Sequence, residues 1–188
     1  MKKAAAEEAA SVLRDGGVVL VPTETVVGLV AAEAGPLNRI KGSDPGKPLA
    51  LLCASADEAF SLAAEVPPVA RVLAEAYWPG PLTLVLGVKV GETVGVRVPG
   101  GAVVGVLRAY GGPLYATSAN PSGGQAPRSL DEVDPQVAAA TDLVVTGEPG
   151  SGEASAVVDL SGGEARLLRA TRDFTDEKLG ELTGGQPG

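Results

Sequence analysis

The chain has 188 residues, a length that suits one domain with a core of its own. One cysteine, Cys53, excludes an internal disulfide and a cysteine-clustered zinc site, and the lack of histidine excludes catalytic schemes built on imidazole. A net charge of −8 argues against broad binding to nucleic-acid phosphates, although it is compatible with a local basic patch.

The beginning of the chain predicts a helix and no targeting segment. Two lysines open the sequence, but Glu7 and Glu8 interrupt what would be the core of a signal peptide. The first residues are better interpreted as an amphipathic helix that turns Ala9, Val12 and Leu13 inward. No apolar run approaches the roughly 20 residues needed to span a bilayer, so we expect a cytoplasmic protein without a membrane anchor.

Short runs rich in valine and leucine alternate with helical patterns along the chain, which is typical of an α/β domain. Strands are predicted over 17–22, 26–31, 48–53, 82–88, 93–99, 113–118, 142–147, 155–160 and 165–170. Further helices are predicted within 55–65, 67–78, 129–140 and 173–184. So many strands for so few helices favour a large mixed sheet, partly antiparallel and flanked by helices. We expect a single domain, 1–183, followed by a flexible C-terminal tail, 184–188.

Four segments are polar where packing alone would not require it. They read PTETVVGL (22–29), IKGSDPGKPL (40–49), TVGVRVPG (93–100) and GGPLYATSANPSGG (111–124). Each has an ordinary structural interpretation: a hairpin turn for the first, and for the second a solvated loop in which an exposed Lys41 contributes little to folding. Arg97, however, lies among valines, where a charge is costly unless it is paired or contacts a ligand. Four such segments in one small domain favour a ligand site.

The same segments resemble the signatures of the YrdC family, the threonylcarbamoyl-AMP synthases. PTETVVGL resembles the family's P-T-[DE]-T-V-Y-G-L, and IKGSDPGKPL resembles its I-K-x-R-P-x-x-x-P-L. WPGPLTLVL (78–86) agrees almost letter for letter with a further family block. VGVRVPG, ATSANPSG and SAVVDL…LLRA follow in the family's order, so the resemblance runs from about residue 16 to residue 170.

The resemblance implies a YrdC-like twisted mixed sheet, flanked by helices, with a concave and positively charged ligand-binding face. It also implies an enzyme, a nucleotidyltransferase that condenses L-threonine, bicarbonate and ATP into threonylcarbamoyl-adenylate and releases pyrophosphate. The product would serve the modification of an adenosine beside the anticodon of tRNA, so tRNA or double-stranded RNA is a possible partner. Mg²⁺ would accompany the ATP, and the sequence contains no evident protein cluster for a metal.

Functional residues carry over from the family motifs to matching positions of this chain. The resemblance implies that the catalytic residues, which would hold phosphate or carbamate oxygens, are Lys41, Ser118 and Asn120. The same three residues, with Thr93 and Arg169, would bind ATP. The threonine-binding residues would be Thr23, Arg97 and Ser155. Ser118 as a covalent nucleophile is disfavoured, because the chain lacks the usual base.

Several positions depart from the family pattern. Ser43 stands where the family has an arginine, and Asp44 where it has a proline. Loss of one guanidinium from a phosphate or carboxylate site costs about 2–4 kcal/mol. Lys47 or Arg128 could take over its role, although lysine offers a point charge rather than a fork.

Three further departures predict a reshaped amino-acid pocket. They are Val27 for a tyrosine, Leu52 for a histidine and Ala156 for a threonine. Two alternatives to the synthase therefore stay open. One is a catalytically impaired paralogue that binds nucleotide or double-stranded RNA; the other is the same adenylate chemistry on an amine other than threonine.

Overall fold

The computed structural model describes residues 3–44, 48–89 and 91–184 of the chain. Its elements, in chain order, are α1 (Lys3–Arg14), β1 (Val19–Pro22), β2 (Val27–Ala31), α2 (Ala34–Lys41), β3 (Ala50–Leu52), α3 (Ala56–Ser61), α4 (Pro68–Tyr77), β4 (Leu82–Lys89), β5 (Glu92–Arg97), α5 (Val103–Tyr110), β6 (Leu114–Ser118), a 3-10 turn (Leu130–Glu132), α6 (Pro135–Ala139), β7 (Leu143–Val144), β8 (Ala156–Asp159), β9 (Arg166–Arg169) and α7 (Asp176–Thr183).

The strands form one mixed sheet in the order β7-β1-β2-β6-β3-β5-β4-β8-β9. The pairs β1 with β7, β3 with β5 and β4 with β8 are parallel, and the other neighbouring strands of the sheet pair antiparallel. Each strand falls within a predicted run or extends it by one residue, so the predicted mixed, partly antiparallel sheet is confirmed. The division into one domain with a tail stays a prediction, since residues 185–188 lie outside the described part of the chain.

Both faces of the sheet pack against helices through three apolar cores. Because side chains alternate along a strand, β1 sends Val19 and Val21 to one face and Leu20 to the other. We name the cores after their helices. The α1/α5 core covers one face at the β1, β2 and β6 end; the α2/α6 core and the α4/α7 core cover the opposite face.

Two helices, α2 and α5, were not among the predicted elements. The segment read as a solvated loop begins inside α2, and Lys41 is the last residue of that helix, with only 7% of its surface exposed. The exposed-loop interpretation of Lys41 is therefore wrong. Gly42 ends α2 in the left-handed region (φ 61°), where its amide N–H reaches back to the carbonyls of Asn38 and Arg39.

One ion pair shows how strongly the sheet coils. Arg97 ends β5 and Glu24 follows β1, with β2, β6 and β3 between those two strands. Four strand spacings in a flat sheet would separate β1 from β5 by roughly 19 Å. The Glu24 carboxylate nevertheless accepts hydrogen bonds from the Arg97 guanidinium and from the backbone N–H of Gly100. The β1–β2 turn and the end of β5 therefore approach each other across this face, which makes the face concave.

Within residues 3–44, 48–89 and 91–184, no helix combines the length and the apolar character needed to cross a membrane.

Candidate functional site

The concave face carries small, half-exposed side chains beyond the α1/α5 core. Ala50 of β3 pairs with Ala116 of β6, and Gly95 of β5 lies beside Ala50 and Thr83. Ser118 points to the same face, because it lies two residues after Ala116 and pairs with Gly28. We call this surface the site face. Its small side chains leave room for a ligand above the backbone.

Lys41 lies at one end of the site face, enclosed by the segment that follows β6. Its ammonium donates to the carbonyl oxygens of Ser118 (2.9 Å) and Asn120 (2.7 Å), and more weakly to the Ser118 hydroxyl (3.4 Å). The backbone N–H of Ser122 donates in turn to the Lys41 carbonyl (2.9 Å). The structure thus brings the three predicted catalytic residues together and places a positive charge among polar oxygens.

Asn120 holds the loop that follows it. Its side-chain amide donates to the carbonyls of Pro121 (2.8 Å) and Gly124 (2.7 Å), and its own carbonyl oxygen lies 3.5 Å from the Lys41 ammonium. The loop returns on itself through Gly123, whose φ of 82° favours glycine. The small polar residues of this segment therefore shape the loop around Lys41.

Arg97 lies on the site face with its guanidinium anchored on three sides. Nε donates to the carbonyl of Gly80 (3.0 Å), and Nη2 donates to the Glu24 carboxylate and to the Thr25 hydroxyl (3.0 Å). Arg97 is 7% exposed, so this pairing is what makes its buried charge tolerable. The prediction that a mid-strand arginine needs a partner or a ligand is met here by Glu24.

Thr23 shapes the turn between β1 and β2. Its hydroxyl donates to the carbonyl of Val26 (2.7 Å), accepts from the amides of Thr25 and Val26, and lies 2.8 Å from the Thr25 hydroxyl. The methyl group of Thr23 lies 3.9 Å from the position that a Cβ on Gly28 would take, directly across from Ser118. Thr23 is thus a link between the Lys41 end and the Arg97 end of the face.

Ser155 and Arg169 form a third group, next to Arg97. The Ser155 hydroxyl lies 2.9 Å from the Thr83 hydroxyl, and Arg169 donates to the carbonyl (2.7 Å) and hydroxyl (3.2 Å) of Ser155. Partial burial and the positive charge of Arg97 lower the pKa of Arg169. The two guanidinium groups therefore add positive charge to the same part of the site face.

Thr93 lies apart from the other predicted residues. It is exposed near the start of β5, on the same face as Arg97 but four residues away, a separation of roughly 13 Å along the strand. Its end of β5 is the one at which Ser118 ends β6. The structure therefore associates Thr93 with the Lys41 end of the site face rather than with Arg97.

Arg128 and Lys47 are the two residues expected to replace the family arginine. Arg128 is bound elsewhere: its Nε donates to the carbonyl of Gly150 (3.0 Å). Lys47 lies outside the described residues. Ser43, at the arginine position, donates from its hydroxyl to the side-chain oxygen of Asn38 (3.0 Å) and so belongs to the end of α2.

The expected reshaping of the amino-acid pocket is wrong for two of its three residues. Val27 is fully buried in the α2/α6 core and Ala156 in the α4/α7 core, both on the face opposite to the site. Strand alternation explains this, because their neighbours Gly28 and Ser155 are the residues that point to the site face. Leu52 packs in the α1/α5 core, at the edge of that face.

A cavity of about 1030 Å³ lies behind the turn that carries Glu24. Its walls come from α1, α5, the turn and the segment 147–151, and they include Thr23, Glu24 and Arg108. Lys41, Arg97, Ser118 and Asn120 do not line it, so it adjoins the site face without being the site.

Three side chains of the site, those of Glu24, Thr25 and Thr83, have no counterpart among the predicted site residues. Thr25 and Thr83 are buried, and each hydrogen bonds to a predicted residue, Arg97 and Ser155 respectively. For Thr83 the available signal is a hydroxyl within an otherwise apolar run, which is costly to bury without a partner; for Thr25 it is the polar segment 22–29. In the described part of the chain, no three histidine, cysteine, aspartate or glutamate side chains are grouped to hold a metal ion.

Comparison with known proteins decides the family. The sequence model of the Sua5/YciO/YrdC family, described as telomere recombination, matches residues 11–171. The chain belongs to the Sua5/YciO/YrdC family. The resemblance inferred from the motifs is therefore confirmed, and the motifs lie within the matched range.

Three curated relatives of this Sua5/YciO/YrdC chain are named threonylcarbamoyl-AMP synthase. The protein of Pyrococcus abyssi is 36% identical over 86% of this chain and 52% of its own length. That of Halorhodospira halophila is 35% identical over 76% of this chain and 82% of its own length. That of Bacillus subtilis is 32% identical over 94% of this chain and 56% of its own length. The chain thus spans only about half of the Pyrococcus and Bacillus relatives.

Solved structures of the family agree with the fold. Sua5 of P. abyssi, complexed with L-threonine, superposes with a TM-score of 0.84 at 30% identity, over 98% of this chain and 58% of that one. YciO of E. coli superposes with a TM-score of 0.78 over 89% of both chains, and its 22% identity supports the fold alone. The predicted fold class is confirmed.

Proposed function

We propose that this chain is a threonylcarbamoyl-AMP synthase domain that forms threonylcarbamoyl-adenylate from L-threonine, bicarbonate and ATP. One observation carries the proposal: Lys41 and Arg97, two of the cations at family positions, lie at two ends of one concave face, each fixed by hydrogen bonds. Relatives of this chain named for the same synthesis, and a relative's structure with L-threonine, support it.

In this proposal, the Lys41 end of the site face holds the phosphates of ATP. The Lys41 ammonium is the buried charge there, and the Ser118 hydroxyl is the side-chain group beside it on the open face. Thr93 lies at the same end of the sheet and would contact the nucleotide. Because these groups are fixed before ATP arrives, their charge and dipoles need little reorganisation during reaction.

The Arg97 end would hold the amino acid. A threonine carboxylate can accept hydrogen bonds from the Arg97 guanidinium, and the Ser155 hydroxyl and the Thr23 turn lie on either side. Arg169 shares its surroundings with Arg97 and would contact the α-phosphate side of ATP, where the two substrates meet. Anions there relieve the repulsion between the two guanidinium groups.

The reaction needs positioning and charge more than acid–base chemistry. A carbamate oxygen, made from the threonine amine and bicarbonate with loss of water, would attack the α-phosphorus of ATP. The new P–O bond forms as the bond to pyrophosphate breaks, and Lys41 would balance the charge that gathers on the phosphate oxygens. The lack of histidine is no obstacle to such a step.

Mg²⁺ would enter with ATP, neutralise phosphate charge and be held mainly by the phosphate oxygens, because the carbonyl oxygens of Ser118 and Asn120 are already bonded to the Lys41 ammonium. The acceptor of the threonylcarbamoyl group would be an adenosine of tRNA. Direct binding of tRNA or double-stranded RNA, and the cytoplasmic location, stay predictions from the sequence.

The test is pyrophosphate release by the purified chain with ATP, Mg²⁺, bicarbonate and threonine. We expect release that needs both threonine and bicarbonate, with threonine preferred over a panel of serine, valine, cysteine and other amino acids. If pyrophosphate is released with a different amino acid and not with threonine, the adenylate chemistry of the proposal stands and its amino-acid substrate is wrong. No release with any amino acid would contradict the proposal and favour the binding-module alternative, which the comparisons do not favour.

A further inference from the structure

Glu24 is one of three residues that hydrogen bond to the guanidinium of Arg97. The Gly80 carbonyl accepts a hydrogen bond from Nε–H of Arg97. The Glu24 carboxylate and the Thr25 hydroxyl accept hydrogen bonds from the two N–H groups of Nη2. Among the described residues Nη1 forms no hydrogen bond, and no buried side-chain nitrogen lacks a partner. Nη1 is therefore accessible, and it is the nitrogen that a ligand on the site face can reach.

Glu24 is itself held by the protein rather than free to leave. Its second carboxylate oxygen accepts from the backbone N–H of Gly100 (2.8 Å). Gly101, in the left-handed region (φ 80°), packs so closely on the turn that a Cβ there would lie 3.0 Å from the Glu24 backbone nitrogen. The Glu24 carboxylate thus connects the β1–β2 turn to the segment after β5. One of its oxygens accepts from Gly100 and the other from Nη2 of Arg97.

We propose that Glu24 is a positioning residue: through its bond to Nη2, and together with the Gly80 carbonyl on Nε, it orients Arg97 so that Nη1 points at the amino-acid carboxylate, and it stays in place when substrate binds. This inference rests on the proposed function. A different role would follow if Glu24 occupied Arg97 in place of the substrate carboxylate. The two roles predict opposite effects of removing its charge, because a competitor's removal strengthens substrate binding and a positioner's removal weakens it.

The variant Glu24→Gln separates the roles, since it keeps the size of the side chain and removes the charge. The KM for threonine should rise at least about tenfold, with kcat at saturating threonine and the KM for ATP changed less than about twofold. Glu24→Asp, which keeps the charge on a shorter stem, should recover part of the loss. The matched control is Glu148→Gln, an exposed carboxylate on the wall of the neighbouring cavity.

A readout independent of turnover is the side-chain Nε–H signal of Arg97 in ¹⁵N NMR, assigned by its loss in Arg97→Lys. In the native chain this proton is bonded to the Gly80 carbonyl, so it should exchange slowly with water. Glu24→Gln should speed its exchange at least about tenfold, whereas Glu148→Gln should leave it unchanged.

The outcomes are distinct. A threonine KM that falls in Glu24→Gln would make Glu24 a competitor, and an unchanged KM with unchanged exchange would leave it only a structural residue; either result overturns the proposal. If the native chain makes no threonylcarbamoyl-adenylate, the proposed function fails, and the Arg97 exchange rates alone decide whether Glu24 positions the guanidinium.

Discussion

Lys41 shows how a single residue can serve both the fold and the site. Its ammonium is buried, and carbonyl oxygens of Ser118 and Asn120 replace the water that it loses. Its positive charge can still act on a ligand at the site face, and its side chain has less conformational freedom than that of a surface lysine. The same contacts make it part of the folded structure.

Replacing this lysine should therefore weaken both folding and ATP binding. In Lys41→Met, two carbonyl oxygens lose a charged donor, so the free energy of unfolding should fall by about 1–3 kcal/mol. The rise in melting temperature caused by ATP with Mg²⁺ should largely disappear. Urea titrations and thermal melts measure the two effects, with exposed Lys89→Met as control. Unchanged stability would contradict the hydrogen-bond network described for Lys41.

The departure at Ser43 offers a gain-of-function prediction. Ser43 is half-buried just after α2, two residues after Lys41 in the chain, and its hydroxyl donates to the side-chain oxygen of Asn38. The double variant Ser43→Arg with Asp44→Pro restores the family residues. Threonine-dependent pyrophosphate release should rise at least about tenfold, or roughly 1.4 kcal/mol of transition-state stabilisation.

A matched single variant, Asp44→Pro, separates the effect of the arginine from that of the proline. If the native chain is already as fast as the double variant, the arginine has no role in this chain and the prediction is wrong.

At the residue scale, the sequence supplied candidate site residues, whose roles stay predictions, but not the partners that surround them. Lys41, Ser118, Asn120, Thr23, Arg97, Ser155 and Arg169 were named from motifs, and the structure groups them on one face. Their partners were not predictable in this way. Glu24 meets Arg97 across three intervening strands, and no local pattern encodes such a contact.

At the scale of elements, the turn between β1 and β2 depends on a neighbouring segment for its shape. The amides of Ser151 and Gly152 donate to the carbonyls of Glu24 (2.9 Å) and Thr25 (2.8 Å). Gly150 lies so close that a Cβ there would be 2.3 Å from the Thr25 carbonyl oxygen. The segment 150–152 thus keeps Glu24 and Thr25 where Arg97 needs them.

A methyl group at this contact should disturb the turn. Gly150→Ala should lower the free energy of unfolding by about 1–3 kcal/mol, because backbone on both sides must shift. The KM for threonine should rise as well, since Arg97 loses its fixed partners. Denaturant titrations and steady-state kinetics measure these effects. Gly162→Ala, where a Cβ meets nothing within 4 Å, is the control, and equal behaviour of the two variants would refute the role given to this segment.

Strands were predictable because their apolar runs are short, rich in valine and leucine, and bounded by turns. The helices α2 and α5 were missed for physical reasons. The sequence of α2, AGPLNRIK, contains glycine and proline and has only a leucine and an isoleucine as large apolar residues, while α5, VVGVLRAY, is rich in β-branched residues. Packing stabilises them: Leu37 of α2 and Val106 and Leu107 of α5 are fully buried.

For the whole molecule, Cys53 reports on global unfolding. It is fully buried, and burial, with the nearby Glu58 carboxylate, raises the pKa of its thiol to about 12. Between the ordinary pKa of 9.0 and this value, the unfolded chain loses the proton and the folded chain keeps it. The contribution of Cys53 to stability should therefore fall as pH rises through that range.

Its reactivity follows from the same burial. At pH 8 an aromatic disulfide reagent should label the folded chain only as fast as the chain opens, and urea-unfolded chain at once. ATP with Mg²⁺ should slow the labelling of the native chain, because a ligand that binds the folded state lowers the open population. Rapid labelling of the native chain, insensitive to ATP, would contradict the burial of Cys53.

The central claim is that the concave face brings threonine, bicarbonate and ATP together to form one adenylate. Mass spectrometry of the nucleotide products, with ¹³C-bicarbonate and with each substrate omitted in turn, tests it most directly. The account predicts a threonylcarbamoyl-adenylate one mass unit heavier than with ordinary bicarbonate, formed only when all three substrates are present, and lost in Lys41→Met. A folded native chain that binds ATP and forms no such product would contradict it.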